Sequence, residues 1–367
     1  MALSNKKIWI DIEEPKTGIM FHSLINKLQN EDANLLITAR DYDSTYQILD
    51  DLNIDFVKVG IHGGERLDNK LLAYINRLKD LFPLVLHFKP DYFVTFSSVE
   101  GPRISFGLNI PSIGYNDEPR NSPVCKLIFP FLDKIITPDC VPEEWYISLH
   151  AEKEKLIRYH GIDEIAWLSN YKPDPSILYK HDLEKGKYVI MRSEPSFASY
   201  FIDKLESHKT LLSEIFPPIF KQFPNYKYFL LVRTKEQETY LRKKLTEFSR
   251  YKNLLITRYL PNLADLCFFG ALIISGGGTI VRESSLLNTP SIEYFPGDSA
   301  PQELFLIKNG FPLVHIKQVN DIINKALEFL TESPKNRFSI DEIKKKISKF
   351  ENPNDLCFDF VKKKLIN

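Results

Sequence analysis

The sequence predicts an α/β protein made of two parallel-sheet domains. Three observations predict it. Its 367 residues exceed what one ordinary core organises. Short β-branched runs alternate with longer amphipathic stretches along the chain. That alternation breaks once, between Tyr171 and Lys187, where Lys172-Pro173-Asp174-Pro175, several charges and Gly186 intervene. The expected boundaries are a first domain at 1–168, a linker at 169–187, a second domain at 188–340 and a C-terminal helix at 341–367.

In the first half, Lys7–Ile12 reads as a strand and Phe21–Leu28 as a helix. Leu35–Ala39 is a strand, followed by a helix from about Ser44 to Leu52. Ile54–Val59 is a third strand, and Lys70–His87 carries apolar residues at helical spacing. Tyr92–Phe96, Ser112–Tyr115, Lys134–Thr137 and Lys155–Arg158 complete the strands. In the second half the strands are Tyr188–Met191, Tyr228–Val232, Leu254–Thr257, Leu272–Ser275, Ser291–Tyr294 and Leu313–Ile316, with helices between them, such as Thr234 to Tyr251. A lysine-rich helical tail runs from about Asp341 to Leu365, its charges reading as a solvated face.

Composition excludes several classes. Lys plus Arg and Asp plus Glu both number 48, which argues against a polyanion as main partner and hence against nucleic acid. With 43% hydrophobic and 26% charged residues, wholesale disorder is excluded. Cys125, Cys140, Cys267 and Cys357 form no C-x-x-C pair, so neither a zinc ribbon nor a thioredoxin-type site is supported, and reduced thiols in a cytoplasmic protein are expected. The first ten residues lack an apolar signal core. The longest apolar stretch, Phe268–Ile274, is interrupted by Gly270 and is far short of the ~20 residues of a membrane span. Peripheral membrane contact stays compatible with the sequence, and the oligomeric state is not given by it.

Open parallel sheets bind ligands beyond the carboxyl ends of their strands, so the loops there are the place to look. The best signal is Ile273-Ile274-Ser275-Gly276-Gly277-Gly278-Thr279-Ile280-Val281-Arg282-Glu283. An apolar strand runs into three glycines and then a helix. Glycines let main-chain N–H groups approach an anion, and the helix start adds unpaired donors and partial positive charge. A phosphate or diphosphate fits, Thr279 adds a hydroxyl, and Glu283 stands where a carboxylate accepts the hydroxyls of a ribose or sugar. The pattern is neither a P-loop nor G-x-G-x-x-G, so neither an ATPase nor a dinucleotide dehydrogenase is favoured. Upstream, Arg258-Tyr259-Leu260-Pro261 is either an aromatic turn that sandwiches a base or an ordinary packed turn. Arg192, Ser193 and Ser196 offer a cation and hydroxyls after the first strand of the second half. Arg233 reads as a surface ion pair, though either arginine suits diphosphate charge.

These residues resemble known proteins. Leu254 to Glu283 is similar in layout to the nucleotide-sugar half of GT-B glycosyltransferases and of UDP-N-acetylglucosamine 2-epimerase. The whole chain resembles the archaeal and bacterial domain-of-unknown-function family of predicted glycosyltransferases. The matching pieces include Lys7–Ile12, Leu36–Asp41, Gly60–Gly64, Lys89-Pro90-Asp91, Phe106–Ile113, Asn116-Asp117, Ile136-Thr137-Pro138, Arg158–Glu164, Gly276–Thr279 with Arg282-Glu283, and Phe295-Pro296-Gly297. The resemblance implies two Rossmann-like domains facing a cleft, the donor held by the second, and a C-terminal helix returning to the first. It implies a diphosphate at Gly276, Gly277 and Gly278, a ribose on Glu283, Arg282 within the same motif, and a main-chain contact to the base near Leu260. Two loops depart from the family pattern in lacking histidines: Glu13-Glu14-Pro15-Lys16 after the first strand, and Asn116-Asp117-Glu118-Pro119.

The expected activity is transfer of a sugar from a nucleotide-diphosphate-sugar donor to an acceptor that is a glycan, a lipid or a small molecule. The alternatives are a nucleotide-sugar 2-epimerase of the UDP-N-acetylglucosamine type and a nucleotide-sugar-binding protein without chemistry. Transfer needs a base for the acceptor hydroxyl. Asp117 ranks first, at a strand end, followed by Glu118 and Glu100. His62, with glycines after it, is a further substrate-binding candidate, and His160 reads as packing. No histidine pair has metal spacing, and Asp41-Tyr42-Asp43 sits where aspartates cap helices. No metal and no cofactor are therefore expected.

Overall fold

The structure, a computed structural model, describes residues 2–64, 66–194, 208–295, 297–332 and 339–366. The chain forms two compact units, Met1–Ser169 with Phe350–Asn367, and Asn170–Lys349. Among the described residues each unit contains one sheet. The first has seven strands: β1 (Lys7–Ile12), β2 (Asn34–Asp41), β3 (Val57–Ile61), β4 (Tyr92–Phe96), β5 (Ser112–Tyr115), β6 (Lys134–Pro138) and β7 (Leu156–Tyr159), in the order β3-β2-β1-β4-β5-β6-β7. The second has six: β8 (Tyr188–Arg192), β9 (Lys227–Leu231), β10 (Leu254–Thr257), β11 (Leu272–Ser275), β12 (Ser291–Glu293) and β13 (Leu313–His315), in the order β10-β9-β8-β11-β12-β13. Every pairing is parallel. This is the α/β, two-sheet architecture that the alternating pattern predicts.

Parallel strands are covered on both faces, which explains their near-continuous apolar runs. In β1 the period of two sends Ile8, Ile10 and Ile12 to one face, against Phe21, Leu24 and Leu28 of the helix Pro15–Asn30. Trp9 goes to the other face, against Phe93 and against Leu81 and Val85 of the helix Leu67–Phe88. Asp11 shares the Trp9 face, so a carboxylate is carried to the strand's carboxyl end beside that helix. Both sheets reverse their order of growth once, between β1 and β4 and between β8 and β11. Those two reversals create the crevices in which such sheets hold ligands.

Two elements differ from the sequence expectation for physical reasons. Ile54 belongs to a helix end, not to a strand. Asn53 takes the left-handed conformation (φ 54°), and the amides of Asn53 and Ile54 bond back to Asp50 and Leu49, closing the helix Thr45–Asp51 in a Schellman turn. β3 therefore starts at Val57. The basic tail is two helices. Ile340–Ile347 belongs to the second unit, and Pro353–Ile366 belongs to the first, with Pro353 at its first position. Residues 170–187 include a short helix, Ser176–Lys180, within the second unit.

The last helix is locked onto the first unit by a buried amide. Asn354 donates to the Met20 carbonyl (2.6 Å) and the Ser23 hydroxyl (2.7 Å) and accepts from the Tyr115 hydroxyl (3.1 Å). Cys357 and Val361 complete the core around Phe21. Among the described residues no helix is long and apolar enough to cross a membrane.

Candidate functional site

In the second unit the three glycines sit at the β8/β11 reversal, and each faces a different neighbour. A Cβ on Gly276 would lie 2.6 Å from the Glu194 Cα, so this glycine lets two loop backbones touch. A Cβ on Gly277 would lie 2.6 Å from the Arg233 guanidinium, and one on Gly278 would lie 2.4 Å from the Glu303 carboxylate. Glu194 is fully buried, yet it anchors the loop after β8 by accepting from Thr210 Oγ1 (2.8 Å), the Leu211 amide (2.9 Å) and the Tyr294 hydroxyl (2.9 Å). Glu194, held by these three bonds, thus defines where the turn must run.

The hydrogen bonds redistribute the donors expected of the turn. The Gly276 amide donates to the Arg192 carbonyl (3.1 Å) and the Gly277 amide to Ser275 Oγ (3.1 Å). The helix Gly278–Leu286 begins immediately afterwards, and the amides of Gly278, Thr279 and Ile280 have no preceding helical carbonyl to bond. The amides left for a ligand are therefore displaced two residues along from the sequence expectation. Gly277, Gly278 and Thr279 are half-buried, not sealed in the core.

The neighbouring candidates divide into those near the turn and those engaged elsewhere. Arg233 is half-buried and donates to the Ser193 carbonyl (3.0 Å), which places it against the turn instead of in the expected surface ion pair. Arg192 ends β8 beside Ser275. Ser193 is fully buried and donates to Gln237 (2.7 Å). Ser196, with Pro195, and Pro296 lie outside the described residues. Arg282 is engaged by Glu303 (3.0 Å) in a buried pair. Glu303 escapes sequence reading because its helix, Pro301–Lys308, carries no local signal, yet its second carboxylate oxygen is buried without a hydrogen-bond partner. Glu283 is buried one turn into the helix, close enough to Cys267 to help burial push that thiol up. Leu260 is buried, and Tyr259 beside it is half-buried.

In the first unit the β1/β4 reversal is organised by one arginine. Arg77, from the middle of the helix Leu67–Phe88, is fully buried. It reaches Asp11 (2.7 and 3.0 Å), Glu13 (3.0 Å) and Glu100 (2.9 Å) and donates to the Val59 carbonyl (2.9 Å). Arg40 adds a second guanidinium on Glu13 at 3.2 Å. Burial, the Glu13 charge and a hydrogen bond between the two carboxyls raise Glu100 to about 9. Against the opposing cost of burial, Arg40, the same hydrogen bond and Arg77 hold Glu13 down to about 2. Glu100, a candidate base from sequence, is buried within this network, with Arg77 on one of its carboxylate oxygens.

Asp117 stands at the carboxyl end of β5 in a second cluster. Lys16, the second residue of the helix after β1, bridges Asp117 and Asp163 at 2.7 Å each. Its ammonium also lies 4.6 Å from the Phe96 ring centre. Asp163 accepts from the Tyr159 hydroxyl (2.5 Å), and burial and the Asp117 charge raise it to about 7. Half-buried Glu14 is pushed above its usual value, first by burial and then by Asp117 and Glu13 against the pull of Lys16. Glu118, by contrast, points to solvent and pairs with Arg120 (2.5 Å). His62 lies past β3, the edge strand, stacked on Tyr42 (4.5 Å) and accepting from the Gly64 amide (3.1 Å); burial, Arg40 and Lys70 keep it below its usual value. The structure therefore gathers Asp117, Lys16, Asp163 and Glu14, and leaves Glu118 and His62 apart. Among the described residues no group of three or more His, Cys, Asp or Glu has metal-holding geometry.

Comparison with known proteins fits this geometry. The model of the family described as "Protein of unknown function (DUF354)" matches residues 6–365. The chain belongs to that family. A relative of this DUF354 protein, "Uncharacterized protein MJ0665" of Methanocaldococcus jannaschii, is 27% identical over 363 residues, covering 97% of this chain and 98% of the relative. Among solved structures the chain is similar to the UDP-GlcNAc 2-epimerase of Neisseria meningitidis bound to UDP-GlcNAc, with 16% identity and a TM-score of 0.66 over 94% of this chain and 98% of that one. It is also similar to the M. jannaschii UDP-GlcNAc 2-epimerase in complex with UDP-GlcNAc and UDP (16%, TM-score 0.65, 94% and 98%). The glycotransferase of kitacinnamycin matches at 11% identity and a TM-score of 0.62, over 98% and 99%. At these identities the likeness establishes the fold, two parallel-sheet α/β domains of GT-B-like kind.

Two outcomes follow from the site. The folded protein keeps a proton on Glu100 that the unfolded chain loses above its ordinary 4.5, so this group's contribution to stability is complete below about 4.5 and declines as pH rises towards 9. Glu100→Gln has no proton to lose, so urea unfolding at several pH values between those limits should show a flatter stability profile than the wild type; equal slopes would contradict a neutral Glu100. In the second unit, Gly276→Ala should lower thermal stability by about 1–3 kcal/mol because it strikes backbone. Gly277→Ala meets only the movable end of Arg233, so it should leave the melting temperature nearly unchanged, and a fall as large as that of Gly276→Ala would contradict this.

Proposed function

We propose that this DUF354 protein is a glycosyltransferase acting on a nucleoside-diphosphate sugar. The observation that carries the reading is the half-buried glycine turn that opens a helix at the strand-order reversal of the second sheet, flanked by Arg233 and close to the end of β8 at Arg192. A helix start and a guanidinium together offer what a diphosphate needs, as ground-state ligand and as leaving group. The amides of Gly278 and Thr279 and the Arg233 guanidinium hold the diphosphate, and Glu283 takes the ribose. The solved relatives of the same fold that hold UDP-GlcNAc and UDP support a nucleotide sugar as the ligand class.

The first unit supplies the acceptor chemistry in this reading. Asp117 takes the proton of the acceptor hydroxyl as it attacks the anomeric carbon and the nucleoside diphosphate departs. Lys16 keeps the Asp117 carboxylate oriented. A second reading, 2-epimerisation, draws on the cluster of two carboxyls, Asp117 and Asp163, that share Lys16 at 2.7 Å each, where burial and the Asp117 charge raise Asp163 to about 7.

A panel of nucleotide sugars, with and without candidate acceptors, separates the readings. Free nucleotide that forms only with acceptor supports transfer. Inversion at the sugar, or nucleotide release without acceptor, supports the epimerase. Saturable binding without turnover would reduce the protein to a carrier. Asp117→Asn should lower turnover by about 100-fold or more and leave UDP affinity unchanged, whereas Glu283→Ala should weaken donor binding. Unchanged affinity in Glu283→Ala would remove that residue from the site.

A further inference from the structure

We propose that the outer face of the helix Leu67–Phe88 docks against the same face of a second copy of this chain, as an antiparallel two-fold pair. The inference is independent of the proposed chemistry. The inner face of this helix is buried through Arg77, Leu81 and Val85. Its outer face carries Leu71, Leu72, Ile75, Phe82 and Leu86, whose exposures run from 46% at Phe82 to 59% at Leu71. Single exposed apolar side chains are ordinary, but a continuous row is not. At about 100° per residue, Leu71, Ile75, Phe82 and Leu86 fall within roughly 60° of one another, along a helix roughly 33 Å long. Positions 72, 75, 79, 82 and 86 alternate in steps of three and four, the spacing of a helix–helix seam.

The order of these residues names the occupant. When two such helices run antiparallel about the point between Leu78 and Lys79, Ile75 of one copy meets Phe82 of the other, and Leu71 meets Leu86. Asp68 at one end then comes level with Lys89 at the opposite end of the other copy. A two-fold interface has to be complementary to itself in this way, and an unrelated partner imposes no such condition. Lys79, at the centre, can lay its stem along the row and keep its ammonium in water. A face built to lie on lipid has basic flanks, whereas an acid, Asp68, falls in line with this row at its amino-terminal end.

Analytical ultracentrifugation of the full chain, from roughly 1 to 100 μM so as to bracket micromolar association, should show a species of twice the 42.7 kDa chain mass. Ile75→Glu and Phe82→Glu should each weaken that association roughly 100-fold with unchanged circular dichroism and melting temperature. Asp68→Lys should weaken it about tenfold, and adding Lys89→Asp should restore it, a rescue that a merely structural role would not give. A monomer across the whole range, or association indifferent to Ile75→Glu, would overturn the proposal. So would a monomer that floats with phosphatidylcholine–phosphatidylglycerol vesicles and loses this with Ile75→Glu, which would assign the face to lipid.

Discussion

Arg77 brings a positive charge to a place that water does not reach, and the carboxyl edge of the first sheet is arranged around it. Asp11 lies at the penultimate position of β1, Glu13 follows that strand, Glu100 starts the helix after β4 and the Val59 carbonyl belongs to β3, so one side chain ties three segments distant in sequence to its own helix. A buried ion pair of this kind adds little over a well-packed apolar core, but removing one member is expensive, about 3–5 kcal/mol, because an uncompensated charge stays behind. Gly60 reflects the same constraint. It adopts φ +80°, and a Cβ there would lie 2.7 Å from the Arg77 side chain. The network fixes where β1 stops, and the helix that carries Lys16 starts three residues later.

The two sheets solve the same topological problem with opposite chemistry. At the first reversal, strand ends are joined by charge, with carboxyls and guanidinium groups packed at hydrogen-bond distance. At the second, the strand ends are joined by the absence of side chains, so that the loop carrying Glu194 rests directly on Gly276. The first arrangement crowds carboxyls around guanidinium groups and the second presents backbone donors.

Much of the fold was legible because parallel strands must be apolar on both faces, and runs such as Trp9-Ile10, Phe93-Val94 and Ile273-Ile274 show this without knowledge of their neighbours. The glycine turn was legible for a similar reason: a local requirement leaves a local mark. Arg77 was not, because on its own helix it is one polar residue among several and its partners lie up to 66 positions away. Lys16 was hidden in the same manner, with Asp117 and Asp163 at separations of 101 and 147. The amide donors of the glycine turn were misplaced by two residues because sequence does not show that the Arg192 carbonyl and Ser275 already accept the first two. Ile54 was assigned to a strand because its β-branched side chain suits one, whereas the left-handed Asn53 before it makes it a helix stop.

The return of Pro353–Ile366 to the first unit has a consequence for how the protein is made. The core around Phe21 lacks Cys357 and Val361 until nearly all of the chain exists. About 180 residues separate Ser169 from Phe350. A ribosome working at roughly 5–20 residues per second needs about ten to forty seconds to supply them. Throughout that interval the emerging amino-terminal half carries an apolar slot that its own later residues have yet to fill.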